Sequence, residues 1–184
     1  MQDGFNYYDG RFQEVASGGN GPFRTTKFNN TNPCNQESIG KFPQSGLEEV
    51  SHVCDTAKKA FEGWRKLSRV QRAEYLFSVA KIVERRSDEL ARAISLETGK
   101  NYNESVAEVN EALHMAQYAF GSGSTPQGEA VASEIPEKDA YMLRKPKGVV
   151  AVISPWNFPL AIGAFWCAAP ALVEGNTVIL KPSE

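Results

Sequence analysis

Val149-Val150-Ala151-Val152-Ile153-Ser154-Pro155-Trp156-Asn157-Phe158-Pro159 decides the fold of this 184-residue chain. A continuous apolar run, Val149 to Ile153, stops at a turn closed on both sides by proline. An apolar stretch follows from Phe158 to Val173, then Gly175-Asn176-Thr177 and a second apolar run, Val178-Ile179-Leu180, ending in Lys181-Pro182-Ser183-Glu184. Strands that are apolar throughout belong in a parallel sheet covered on both faces. The pattern predicts a strand at 149–153, a turn at 154–158, a helix at about 159–173 and a strand at 177–181. Such a β-α-β unit makes a right-handed crossover. With only two such strands, it reads as the opening of a larger doubly wound sheet.

Upstream the text changes twice. Residues 1–46 are rich in Gly, Asn, Pro and Ser around short aromatic pieces (Phe5-Asn6-Tyr7-Tyr8, Thr26-Lys27-Phe28), which predicts two or three short strands joined by turns. Ser17-Gly18-Gly19-Asn20-Gly21-Pro22 reads as an exposed loop without phosphate-loop spacing. From Ser45 the period becomes helical. Ser45-Gly46-Leu47-Glu48 and Ser68-Arg69-Val70-Gln71 both have capping-box spacing. Apolar stripes follow: Leu47, Val50, Cys54, Ala57 and Phe61; then Ala73, Leu76, Phe77, Ala80 and Val83. Asp88 and Glu89 suit the first turn of a third helix, and Gly99 suits its left-handed cap. A fourth helix carries Val106, Val109, Leu113, Ala116 and Phe120. After Gly121 the chain turns polar, and Ala140 to Arg144 is a plausible strand that lapses at Pro146.

Composition excludes several classes. Twenty Lys plus Arg against 22 Asp plus Glu give a formal net charge of -2, so nothing argues for a nucleic-acid partner. The longest apolar stretch is shorter than a membrane span, and Met1-Gln2-Asp3-Gly4 does not open a secretory signal. Cys34, Cys54 and Cys167 are odd in number and widely spaced, forming neither a disulfide framework nor a zinc motif. A cytoplasmic protein with reduced thiols is expected.

In an open parallel sheet, ligands bind beyond the carboxyl ends of the strands, where both unusual turns lie. Pro155 and Pro159 make Trp156-Asn157-Phe158 a rigid loop. Asn157 offers an uncharged N–H donor suited to a developing oxyanion; the blander reading has its carboxamide satisfying loop backbone. Lys181 and Glu184 can hydrogen-bond ribose hydroxyls, or form a solvated ion pair at a strand end. The chain contains no G-x-G-x-x-G.

Taken jointly, Gly148 through Pro159, Gly175-Asn176-Thr177 and Lys181-Pro182-Ser183-Glu184 resemble the NAD(P)-dependent aldehyde dehydrogenase superfamily. Phe61-Glu62-Gly63-Trp64-Arg65-Lys66-Leu67-Ser68, Arg72-Ala73, Leu96-Glu97-Thr98-Gly99-Lys100 and Arg144-Lys145-Pro146-Lys147-Gly148 extend the likeness over about residues 28–184. The resemblance implies an α/β fold: N-terminal strands, a helical region, then the first β-α-β unit of a Rossmann-like sheet. It implies residues 1–123 as strands and helices of the cofactor-binding domain and 124–146 as an oligomerisation arm. Residues 147–184 would be the start of the NAD-binding unit, with the catalytic domain absent. It further implies Asn157 as the side-chain half of an oxyanion hole and Ile153, Ser154, Pro155 and Trp156 along the cofactor cleft. Lys181 and Glu184 would hold the adenosine ribose, with Ser183 nearby. NAD is favoured, since Glu184 would repel the 2′-phosphate of NADP.

In such enzymes a cysteine thiolate attacks the aldehyde, hydride leaves to the nicotinamide, and a glutamate activates water to hydrolyse the thioester. By resemblance that Cys and Glu lie downstream of Glu184. Cys167 sits in an apolar run without a basic neighbour and reads as a core cysteine. His52 and His114 read as single helix residues without partners. The spacing from Pro159 to Gly175 is one residue longer than is usual in the family. Two readings follow. In the first, the chain is the N-terminal part of a homo-oligomeric enzyme oxidising an aldehyde to a carboxylate, inert alone and with exposed strand edges. In the second, it is a stand-alone cofactor-binding or assembly protein docking on a full-length homologue.

Overall fold

The computed structural model describes residues 3–13, 23 and 26–183. The loop expected at Ser17–Pro22 and the ribose contact expected of Glu184 lie outside them. Four strands fill the N-terminal region. Strands β1 (Asn6–Tyr8) and β2 (Arg11–Gln13) form one antiparallel hairpin, β3 (Thr26–Thr31) and β4 (Ser38–Gln44) another. Four helices follow: α1 (Leu47–Trp64), α2 (Arg69–Arg85), α3 (Ser87–Thr98) and α4 (Tyr102–Ser122). A third antiparallel hairpin, β5 (Gly128–Val131) with β6 (Ala140–Leu143), then stands out from the body, its residues nearly all exposed. Last come β7 (Val149–Ile153), a helical segment, and β8 (Thr177–Lys181), with β7 and β8 paired in parallel.

Of the helix caps read from the sequence, those at Ser68 and Gly99 form and the one at Ser45 does not. Ser68 Oγ accepts from the Gln71 backbone N–H at 3.1 Å while Gln71 Oε1 accepts from the Ser68 N–H at 2.9 Å, the reciprocal box its spacing predicts. Gly99 caps α3 in the left-handed region at φ 73°. The box expected at Ser45 does not form. Gly46 is the N-cap, without a side-chain cap, and Ser45 Oγ accepts instead from Asn6. A better acceptor explains the exchange: the buried Glu49 takes hydrogen bonds from Asn6 Nδ2 and from the Tyr8 hydroxyl, tying β1 to α1.

The core lies between α2, α3, α4 and the helical segment after β7. Ala80, Val83, Ala91, Ile94, Val109, Ala112, Ala116, Ala161 and Phe165 form its main cluster. Alanine at so many of these positions lets the backbones approach closely. The stripe of α1 is buried only at Ala57; Leu47 remains 83% exposed. Helix α1 instead docks through one polar contact to β8 and one to the helical segment before it: Thr177 Oγ1 donates to the Ala57 carbonyl and Trp64 Nε1 to the Leu172 carbonyl, both at 2.9 Å.

The segment between the parallel strands differs from the single α-helix expected. It is π-helical over Ala161–Ala168, then α-helical over α5 (Ala169–Val173). A π-turn closes i→i+5 instead of i→i+4, so it holds one residue more than an α-turn. That offers a physical outlet for the extra residue that the resemblance leads one to expect between Pro159 and Gly175. The same segment corrects the reading of Cys167, which is exposed rather than in the core; Phe165 takes the inward position and Trp166 is exposed. His52 is also not alone: its Nε2 lies 2.7 Å from Asp9 Oδ2.

Candidate functional site

The β7–β8 register pairs Ile153 with Lys181, so both predicted turns leave the same end of the sheet side by side. The Ser154 backbone N–H donates to the Lys181 carbonyl at 3.1 Å, carrying the pairing one residue past β7. Asn176 fixes the opposite end: its Oδ1 accepts from the N–H groups of Lys147 (2.7 Å) and Gly148 (3.1 Å), and its Nδ2 donates to Ala171.

Beyond the strand ends the predicted residues divide by exposure. Ile153 and Trp156 are 78% and 71% exposed, and Asn157 and Lys181 are exposed as well. Pro155 and Ser183 are half-buried. Ser154 is turned inward. Its Oγ is buried without a hydrogen-bond partner, and a Cβ added to Gly163 would come within 2.9 Å of it. Only a glycine lets the π-helical segment settle onto this turn. Any contribution of Ser154 to a cleft therefore comes from its backbone. Among the described residues the Asn157 carboxamide has no hydrogen-bond partner.

The turn is anchored by two residues from the helical region. Glu108 on α4 is only 1% exposed. Its Oε1 accepts from the backbone N–H of Leu160 (2.9 Å) and of Ala161 (3.2 Å), the open donors at the start of the helical segment. Its Oε2 pairs with Lys100 Nζ, which also stands 4.0 Å over the Phe158 ring. Sequence reasoning took Lys100 only as a helix ending and passed over Glu108. A signal was there: a lone acid among Ser105, Val109, Ala112 and Ala116 on the inward face of α4. On the far side, Arg72 donates from Nε to the Val173 carbonyl at 2.9 Å and from Nη1 to the Leu67 carbonyl. Burial, opposed in part by nearby Glu174, holds its guanidinium pKa below the usual value.

This arrangement is a β-α-β unit with a rigid, donor-bearing loop at its carboxyl end, the design of a nucleotide-binding α/β protein. Residues 22–184 match the aldehyde dehydrogenase family, and the chain belongs to it. It is 38% identical over 155 residues to betaine aldehyde dehydrogenase of Bacillus subtilis (strain 168), covering 83% of this chain and 31% of that one. It is 41% identical over 147 residues to the alpha-ketoglutaric semialdehyde dehydrogenase of the same strain, covering 79% and 30%. Among solved structures, an E. coli NADP-dependent enzyme superimposes with a TM-score of 0.86 at 30% identity, covering 96% of this chain and 35% of that one. A Staphylococcus aureus betaine aldehyde dehydrogenase in complex with NAD+ gives 0.86 at 32% identity, covering 97% and 34%. The chain thus spans about a third of the length of the relatives it matches.

Proposed function

We propose that this chain is the cofactor-binding part of an NAD(P)-dependent enzyme that oxidises an aldehyde to a carboxylic acid in the cytoplasm. The observation that carries the reading is Asn157: exposed, held between two prolines beside the ends of two parallel strands, with its carboxamide unpartnered among the described residues. The strand ends fit a dinucleotide. Exposed Ile153 and Trp156 offer apolar faces, and Lys181 and Ser183 offer polar groups to a ribose. Glu184 completes the ribose set in this reading and favours NAD over NADP. When bound, the cofactor supplies the hydride acceptor. The chain's own contribution is a neutral Asn157 Nδ2 donor where negative charge develops on the aldehyde oxygen, a role worth about 3 kcal/mol in the transition state.

Residues 1–123 serve as the strands and helices of the cofactor domain, 147–184 as the start of its nucleotide unit, and 124–146 as an arm for homo-oligomer assembly. The exposed apolar residues Val131, Ile135, Tyr141, Met142 and Leu143 on the β5–β6 hairpin support the last assignment. In this reading residues 1–184 alone are inert: among the described residues no histidine, lysine or arginine hydrogen-bonds to Cys34, Cys54 or Cys167, and the Cys34 thiol turns to the Gly99 carbonyl. The test is cofactor reduction by an aldehyde panel with the polypeptide as its source cells make it, beside residues 1–184 alone. Turnover by the first and none by the second is expected. A source polypeptide that reduces neither NAD nor NADP with any aldehyde overturns the reading.

A further inference from the structure

Two features frame Asn157, and neither belongs to its own loop. Phe158 lies under the Lys100 ammonium at 4.0 Å. Leu160 and Ala161 donate their backbone N–H groups to Glu108 Oε1 from 52 and 53 residues away in sequence. Pro159 makes the link between these anchors stiff. Lys100 Nζ also binds Glu108 Oε2 at 2.5 Å, so one buried ion pair holds both points just after Asn157.

We infer that Glu108, together with Lys100, is the positioning device for Asn157, setting where its carboxamide is presented; this rests on the oxyanion reading given above. The chemistry favours a carboxylate. It accepts from two N–H groups on one oxygen while the second oxygen holds the cation, and negative charge suits the positive end of a helical segment. The pair includes a carboxylate only 1% exposed. It acts through the loop backbone, and a displacement of about 1 Å at a reacting group costs roughly 10²-fold in rate.

The experiment has two arms. In residues 1–184, NMR follows amide exchange at Leu160 and Ala161 and the Asn157 side-chain resonances in wild type, Glu108→Gln and Glu108→Ala. Glu108→Ala is expected to deprotect both amides and shift the Asn157 Nδ2 signals. Glu108→Gln keeps an oxygen acceptor and is expected to restore most of the protection. Should the alanine variant not fold, Lys100→Gln beside Glu108→Gln carries the comparison: Lys100→Gln is expected to loosen the loop, while Glu108→Gln keeps most of the protection.

In the source polypeptide, kcat and KM are measured for Glu108→Ala, Asn157→Ala and the double variant. A roughly 10²-fold fall in kcat is expected for Glu108→Ala, with KM for NAD nearly unchanged. The double variant is expected to be no slower than Asn157→Ala. Unchanged protection at Leu160 and Ala161, or an additive loss in the double variant, overturns the inference. If Asn157→Ala alone keeps the wild-type kcat, or the wild type has no aldehyde activity, the oxyanion reading falls. The exchange arm then decides by itself whether Glu108 positions the loop.

Discussion

The guanidinium of Arg72 occupies the space that a side chain on Gly175 would need. A Cβ built at Gly175 comes within 3.2 Å of Arg72 Cζ, and the glycine sits at φ +95°. Gly175→Ala therefore strains the backbone and pushes Arg72 off the Val173 carbonyl at once. A loss of roughly 1–3 kcal/mol is expected. Gly121, in the last turn of α4 with open space around it, is the control: Gly121→Ala should stabilise by up to about 1 kcal/mol. Thermal melts of the two variants should move in opposite directions.

Asn176 makes three hydrogen bonds from a buried site. Asn176→Ala leaves the N–H groups of Lys147 and Gly148 to find new partners, while the Ala171 carbonyl keeps the backbone N–H of residue 176, so a loss of roughly 2–4 kcal/mol is expected. Asn176→Asp keeps the acceptor and loses only the donor to Ala171, and should fall between. Denaturant midpoints that rank Ala and Asp the other way would show that the bonds to Lys147 and Gly148 matter less than the one to Ala171.

Tyr8 gives a pH signature. Burial first, then its hydrogen bond to the Glu49 carboxylate, pushes its pKa from 10.0 to about 12. A raised folded value means that the native state keeps a proton the unfolded chain releases. The contribution is therefore complete below pH 10 and is lost as pH rises toward 12. Ultraviolet tyrosinate titration of the six tyrosines should show Tyr8 ionising late, as Tyr102 also does because of its hydrogen bond to Asp88, and Tyr8→Phe should delete one late step while leaving the others.

Asn157→Ala separates folding from function. The side chain is exposed and unpartnered among the described residues, so its removal should change stability by less than about 0.5 kcal/mol. In the source polypeptide the same change should lower kcat by about 10²–10³-fold. Equal damage to both quantities would mark Asn157 as a structural residue.

Local signals were legible in the sequence and long-range ones were not. The parallel pair, its bounding turns and the Ser68–Gln71 cap each rest on residues a few positions apart, and they stand as read. Ser45 failed as a cap because Glu49, whose acceptor role depends on a hairpin some forty residues upstream, reorganised that corner. The π-helical turn was visible only as one surplus residue, with nothing in the apolar run to say how the surplus would be housed. Cys167 read as core because an apolar run was assumed to face inward throughout. Glu108 could be found only as a misfit on an apolar stripe, and Lys100 could not be paired with it before α3 and α4 were placed together.

The bond from Thr177 to the Ala57 carbonyl joins residues 120 positions apart. Helices α2, α3 and α4 find one another within a short stretch of chain; α1 has β1 as an early neighbour through Glu49, but its Ala57 carbonyl meets Thr177 only when β8 is made. A ribosome adding about 5–20 residues per second needs roughly 6–24 s to travel from Ala57 to Thr177. For that interval the inward side of α1 waits without its strand. The order of synthesis thus leaves one side of this helix, among the first made, uncovered until β8 emerges, and it is there that a nascent chain most needs protection.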